Sequence, residues 1–335
     1  MAAISSAEAA VYDRQIRLWG LDAQKRLRNS SVLLVGSRSL AAEVGKNVVL
    51  SGVRRLTIVG SDSKGEISRE RTFLDSKNPG NEGKEDVPSH FVQNLRRLNP
   101  MVHVAADDGN VGDKDETFFQ QYDVVCLTQS NKSTMLRVSK ICRRNDVKFF
   151  GGATFGYFSF FLSDLGKRPH VFVEEEKTVE QMKLTGVTKK KSEDVKMVQK
   201  EFTSVSFESA LGFKPKPGKS LKRVPKVYFY AHIWLQFREK FGRFPYADCD
   251  VEASEELHAI RTVAQKLVEE WGVDESFIPS HFYGKCGVEL VPVSAIVGGI
   301  LSQEIIKVLS GRNAPLDNAF CYDGMENSGL VYHFE

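Results

Sequence analysis

Cysteine is sparse in this sequence. The five residues, Cys126, Cys142, Cys249, Cys286 and Cys321, are scattered, odd in number and contain no Cys-x-x-Cys pair. That argues against a structural zinc site and against a disulfide framework, and fits reduced thiols that are buried or idle. A dominant charge is lacking as well. Lys and Arg number 46 against 43 Asp and Glu, for a net charge of +3, too little for a global field that draws nucleic acid. Long hydrophobic runs are missing: the uncharged stretch GGATFGYFSFFLS falls well short of the roughly 20 residues of a membrane span. The opening MAAISSAEAA has neither a basic flank nor a long apolar core, so it is not read as a secretory signal. Neither a nucleic acid nor a membrane is expected as a partner.

What is present is ordinary globular material, 41% hydrophobic and 27% charged over 335 residues. That length suits two domains, or one large domain with an insertion. Residues 5–29 read as helix broken near Gly20, with Val11, Tyr12, Ile16 and Trp19 on one apolar face. The all-apolar runs VLLV (32–35) and LTIV (56–59) read as strands buried on both faces, joined by a helix that ends at Ser51 with Gly52 as its cap. The pattern continues with a helix over 87–98, strands over 102–106 and 123–128, a helix over 132–145 and a strand over 147–152. Such alternation predicts a doubly wound, mostly parallel sheet. FGYFSFFL and HVFVEE read as sheet that extends this core. From Glu174 to Lys226 the chain is polar and lysine-rich, which reads as largely flexible. Helices are expected over about 226–241 and 252–271. PVSAIVGGILSQEIIKVLSG then reads as an apolar helix capped by Gly311, and NAFCYDGMENSGLVYHF as a hairpin.

The stretch VLLVGSRSLAAEVGKNVVLSG is a strand, a glycine turn and a helix, the frame of a dinucleotide-binding loop. A working GxGxxG uses its first glycine for the turn, its second for close approach of backbone to a pyrophosphate, and its third for helix–strand packing. Gly36 keeps the turn and Ala41 is tolerable at the third place. Arg38 stands where the second glycine belongs. Gly60 occupies the place of the acid that binds ribose hydroxyls, and Asp62 is two residues late. Gly45-Lys46 does not form a P-loop, because Leu40 stands where its first glycine is needed. The reading is a loop that does not bind nucleotide productively; the alternative is that Arg38 grips a phosphate directly.

The ordered run YDRQIRLWGLDAQKRLRNSSVLLVG, AAEVGKNVVLSGV, LTIV, LNPMVHV, FFQQYDVVCLT, KFFGGATFGY, VSAIVGGILSQEIIKVLSG and YDGM resembles the adenylation-type repeat of the ubiquitin-like-protein activating enzymes. The likeness covers about residues 8–172 and 286–335, and leans to the branch that activates SUMO as a heterodimer of a smaller and a larger subunit. It implies a Rossmann-like adenylation fold of the ThiF/MoeB type with an inserted, partly helical segment. The expected division is 1–172 for the first part of the α/β domain, 173–285 for the insertion (flexible over 174–226, then helical) and 286–335 for the closing part.

In that family two repeats pair face to face, and the active one binds ATP, magnesium and the modifier's C-terminus. Active repeats read GxGGxG, then DxD, then NLNRQ; this chain reads GSRSLA, GSD and SRERT. Ser68 replaces the asparagine, Arg71 falls on the family arginine, LTQSNKS lacks the expected aspartate, and Lys84 matches the active lysine only across an alignment gap. The resemblance therefore implies an inactive, supporting repeat with no cofactor or metal of its own. ATP and Mg2+ would be bound by the larger catalytic subunit, which would also carry the thioester cysteine. The family's Pro-x-Cys-Thr occurs nowhere here, and Cys249 and Cys286 lack its context.

One residue is implied to act directly. The arginine of YDRQ, Arg14, would reach across the dimer to the ATP phosphates of the partner, a task for which a guanidinium offers several fixed donors and a permanent charge. Arg17 is a second candidate one turn later; Gln15 reads as structural. Gly298 and Gly299 interrupt an apolar helix at a cost of about 1 kcal/mol each relative to Ala, which calls for close packing or an interface. KKK at 189–191 and KPKPGKSLKR read either as solvated loop or as nuclear import signals, and the implied pathway points to the nucleus, with the cytoplasm also open. Competing readings are a scaffold in which Arg14 has no chemical role, an equivalent subunit for another ubiquitin-like modifier, and a self-sufficient dinucleotide-dependent oxidoreductase, against which Arg38 and Gly60 argue.

Overall fold

The chain opens with three short helices, α1 (Ser6–Val11), α2 (Asp13–Trp19) and α3 (Leu21–Asn29), and enters a strand, β1 (Ser31–Val35). In this computed structural model the described residues are 5–61, 89–128, 130–178, 194–215, 223–243, 245, 255–274, 277–287 and 289–334. The readings placed on Asp62, Ser68, Arg71, Lys84, Cys249 and residues 189–191, and on most of KPKPGKSLKR, lie outside them.

After β1 come α4 (Ser39–Ser51), β2 (Arg55–Gly60), α5 (Ser89–Leu98), β3 (His103–Asn110), α6 (Glu116–Phe119), β4 (Val124–Thr128), α7 (Lys132–Arg144), β5 (Lys148–Phe155) and β6 (Phe158–Asp164). The closing elements are α11 (Val291–Ser310), β9 (Ala319–Asp323) and β10 (Ser328–Tyr332). One eight-stranded sheet results, in the order β10-β9-β6-β5-β4-β1-β2-β3. The five strands from β3 to β5 are parallel and the other three antiparallel. β1 is the switch point, and in such sheets the crevice for a ligand opens at the carboxyl ends there.

The alternation along β1 explains the two cores. Val32 and Leu34 join α4, α5 and α11 on one face of the sheet, whereas Leu33 and Val35 join α7 and later helices on the other. The helix at Gly52 ends as read, in the left-handed conformation at φ +82°, and Gly311 caps α11 at φ +64°. The first helix differs from the reading. It breaks at Tyr12 as well as Gly20, Tyr12 is buried, and Val11 is exposed. Three short pieces let Tyr12 turn inward over Gly52, which a continuous helix with one apolar face does not require.

Two further expectations are corrected. HVFVEE does not extend the main sheet: β7 (His170–Thr178) pairs with β8 (Asp194–Phe202) as a separate antiparallel ribbon. The stretch 174–226, expected to be largely flexible, includes in its described part β8 and α8 (Phe207–Gly212). The ribbon is held by main-chain bonds and by Lys200 Nζ, 3.2 Å from Glu174 and 2.7 Å from Glu176, so it shows no apolar periodicity. α8 is anchored by Phe207, Ala210 and Leu211, three residues too few to register in a 53-residue composition. The Phe207 ring meets Phe149 edge-on at 4.9 Å and fills the space over Gly151, where a Cβ would stand 2.8 Å from the ring.

The helices α9 (Lys226–Phe241) and α10 (Glu255–Trp271) form as read. α9 is apolar on nearly every side and buried, as a helix without an amphipathic stripe must be. It lies against the β6 and β9 face and shares one core with the sheet. Among the described residues α11 is long and apolar enough to cross a bilayer, but it is packed on α4 and α3 and buries Ser294, Ser302 and Glu304.

The glycine pair of α11 divides into two roles. A Cβ on Gly298 would fall 2.5 Å from Glu43 Cβ on α4, whereas nothing lies within 4 Å of one on Gly299. Gly298 is the point of closest approach between the two helices. Gly298→Ala is expected to cost about 1–3 kcal/mol, and Gly299→Ala to be neutral or to add up to about 1 kcal/mol, as chemical denaturation of the isolated chain would read. A second expectation concerns His232, packed between the rings of Tyr228 at 4.6 Å and Trp271 at 4.8 Å. Burial, aided by the charges of Lys132 and Lys214, pushes its pKa from 6.5 down to about 3. The unfolded chain takes up that proton before the folded one, so this contribution to stability is complete above pH 6.5 and declines as pH falls toward 3. His232→Phe should therefore flatten the decline in denaturation midpoint between about pH 6.5 and 4.5.

Candidate functional site

The β1–α4 turn is built on Gly36. Its φ is +114°, its N–H donates to Val59 O at 2.9 Å, and a Cβ there would sit 2.5 Å from Thr128 Oγ1. Thr128 Oγ1 in turn donates to Val35 O at 2.7 Å. The first glycine of the loop thus does the structural job assigned to it, and Ala41, fully buried, fills the third place. Arg38 is the N-cap residue of α4, in extended backbone with no side-chain cap bond. Gly60, buried at the end of β2, offers no side chain for a ribose.

The decisive feature is one the sequence reading missed. The amino end of a helix presents unpaired N–H groups and the positive end of a dipole, which is why phosphates settle there. At α4 that place is held by Glu289, whose Oε2 accepts the Leu40 N–H at 3.1 Å. Glu289 is 4% exposed and Ser294 Oγ donates to the same oxygen at 3.5 Å. The chain supplies its own carboxyl group from 249 residues away in sequence. A second closure stands at the end of β4, where active repeats place an aspartate. Here Asn131 Oδ1 accepts from Nε of Arg238 at 2.9 Å, and Arg238, 1% exposed, lies over the Trp234 ring. These two contacts leave the helix end and the end of β4, among the described residues, without the groups that would fit a nucleotide phosphate or its metal. Among the described residues no group of three His, Cys, Asp or Glu is close enough to hold a metal ion.

The YDRQ segment lies at the other end of α4. Tyr12 is buried against Gly52, where a Cβ would come 2.5 Å from its ring, and its hydroxyl accepts from Asn99 Nδ2 at 2.8 Å. Asn99 also donates to Val49 O at 2.9 Å. Gln15 Nε2 donates to Leu50 O at 3.1 Å, the structural role read for it. Asp13 is engaged by Arg17 at 3.0 Å. Arg14 is exposed and makes no hydrogen bond or ion pair with the described residues. Three of the four motif residues are tied down, and the fourth is held out to solvent. A 13-residue helix is about 20 Å long, so Arg14 and the Gly36 turn are separated by about that distance.

The four thiols among the described residues carry no catalytic promise. Burial pushes Cys126 and Cys321 up to about 12 and Cys142 higher still, and Cys286 is buried with its Sγ 3.5 Å from Tyr283 O. A reactive cysteine needs the opposite environment.

Glu289→Ala leaves a buried N–H without its acceptor, and is expected to cost about 1–3 kcal/mol. Because it also empties the amino end of α4, added sulfate should raise the melting temperature of this variant more than that of the unaltered chain; differential scanning fluorimetry gives both numbers.

Similarity to known proteins follows the same outline. The ThiF family matches residues 12–334. SUMO-activating enzyme subunit 1 of Danio rerio is 42% identical over 343 residues, 99% of this chain and 96% of that protein. The proteins of the same name from Bos taurus and Homo sapiens are 40% and 39% identical, each over 98% of this chain and 95% of theirs. The fold is shared with the crystal structure of E. coli MccB with succinimide, at a TM-score of 0.54 and 12% identity, covering 97% of this chain and 71% of that one. A match that runs through the turn at Gly36, the YDRQ helix and the closing hairpin alike means that this chain belongs to the ThiF family.

Proposed function

We propose that this chain is the supporting subunit of a heterodimeric SUMO-activating enzyme, inactive alone, which lends Arg14 to ATP held by its larger partner. The observation that carries the reading is the position of Arg14. It is fixed by Tyr12 and Gln15 at the carboxyl end of α4, about 20 Å from the chain's own closed loop. A phosphate that meets it must therefore belong to another molecule. The contacts of Glu289 and of the Asn131–Arg238 pair support a nucleotide held by the partner rather than in this chain's crevice.

The chemistry needs such a group. The modifier's terminal carboxylate attacks the α-phosphorus of ATP, pyrophosphate leaves, and the acyl adenylate passes to a cysteine of the partner as a thioester while AMP departs. Both reactants are anions and charge grows on the leaving pyrophosphate. A guanidinium from outside the nucleotide-binding chain stabilises that charge without giving up a proton. In this reading ATP and Mg2+ are bound by the larger subunit and SUMO is met through it. Val291 and Ile296 on the outer side of α11, 39% and 43% exposed, supply apolar surface of the kind an obligate partner covers. The working place of the pair is the nucleus.

ATP–pyrophosphate exchange with SUMO tests this with four samples: this chain, the larger subunit, the pair, and the pair with Arg14→Ala. Exchange is expected in the two paired samples alone, with the variant slower by about tenfold or more at unchanged complex formation. An unaltered rate for Arg14→Ala reduces the chain to a scaffold. Exchange by this chain alone refutes the closed-loop reading.

A further inference from the structure

The amino-terminal edge of the sheet, opposite the crevice at Gly36, carries a second polar cleft of about 800 Å3. Its walls come from the starts of β4 and β5, the end of α7 and the turn that leads into β7. Five lining side chains are cationic and two are carboxylates. We propose that this cleft binds a compact, multiply charged phosphate compound.

The cations are unevenly committed. Arg143 is taken by the buried Asp164 at 2.5 Å and Arg144 by Glu116 at 3.1 Å. Lys148 lies 3.4 Å from Asp146. Lys167 and Arg168 are exposed and make no ion pair or hydrogen bond with the described residues. Of the two carboxylates, Asp123 accepts the Ser31 N–H at 2.7 Å and Asp146 faces Lys148.

A second observation points to a missing partner in the same place. His170, at the start of β7, is 8% exposed and lines the cleft, and its buried Nε2 has no hydrogen-bond partner. Buried polar nitrogens are nearly always satisfied, and an exception asks for a ligand or ordered water. Burial above all, and then the charges of Lys148 and Arg26, push the pKa of His170 down to about 4. An anion in the cleft supplies the countercharge that Lys167 and Arg168 lack, beside a ring whose own buried nitrogen is unsatisfied. The flanking apolar residues Val147 and Val308 are themselves buried, leaving little flat apolar surface for a nucleobase, so the fitting ligand is a small phosphate compound rather than a nucleotide. A charged oxygen with three or four donors around it is the usual basis of such sites.

Sodium tripolyphosphate, titrated calorimetrically into the full-length chain without magnesium, is the probe. One site is expected, with affinity lowered about tenfold or more in Lys167→Ala/Arg168→Ala and a titratable shift of the His170 imidazole signals by NMR. The charge-matched control Lys196→Ala/Lys266→Ala and the crevice variant Arg38→Ala are expected to bind as the unaltered chain does. Absence of saturable binding overturns the proposal, as does equal affinity in the Lys167/Arg168 variant. Loss of binding in Arg38→Ala would move the anion to the β1–α4 loop and overturn it equally.

Discussion

A carboxylate on the amino end of α4 is the contact on which this architecture turns. Helix ends of this kind attract anions because their first N–H groups lack partners and their dipoles add. In a doubly wound sheet that end faces the ligand crevice at the switch strand. Here Glu289 occupies it from inside, with its Oε2 on the Leu40 N–H. A buried carboxylate is costly unless it is bonded, so the same contact that closes the loop also fixes the segment entering α11 against the start of α4.

From that contact the packing of the two helices follows. α11 runs along α4 closely enough that Gly298 has no room for a side chain beside Glu43. The far end of α4 is held as firmly, by Tyr12 over Gly52 and by Gln15 on Leu50 O. One helix therefore has a sealed end facing its own crevice and an anchored end that holds Arg14 outward. The fold keeps the frame of a phosphate site, with a carboxylate on one end of the helix and an exposed arginine beside the other.

Much of this was legible in the chain itself. The alternating apolar runs gave the order of strands and helices, because strands buried on both faces need unbroken apolar stretches. Arg38 and Gly60 marked the spoiled loop, because each removes a contact that a nucleotide needs. Other features were not. The start of β7 reads as an extension of the core and β8 as part of a flexible stretch, because paired strands on a surface can be stabilised by main-chain bonds and ion pairs with no apolar pattern at all. Glu289 offered one faint signal, a single acid in the apolar run CGVELVPVSA; a lone buried carboxylate needs a donor, but which donor is a matter of tertiary contact.

The sequence by itself determined the doubly wound sheet, the caps at Gly52 and Gly311, and the loss of the second glycine of the loop. These are local properties, set by periodicity, by backbone freedom and by side-chain size. Only the tertiary structure decided what fills the lost site, which of two adjacent glycines is required, and which arginine of YDRQIR is left unpaired. Each of those answers depends on residues far apart in the chain, Leu40 with Glu289, Gly298 with Glu43, Tyr12 with Asn99, and long-range proximity is not encoded in any short stretch of either partner.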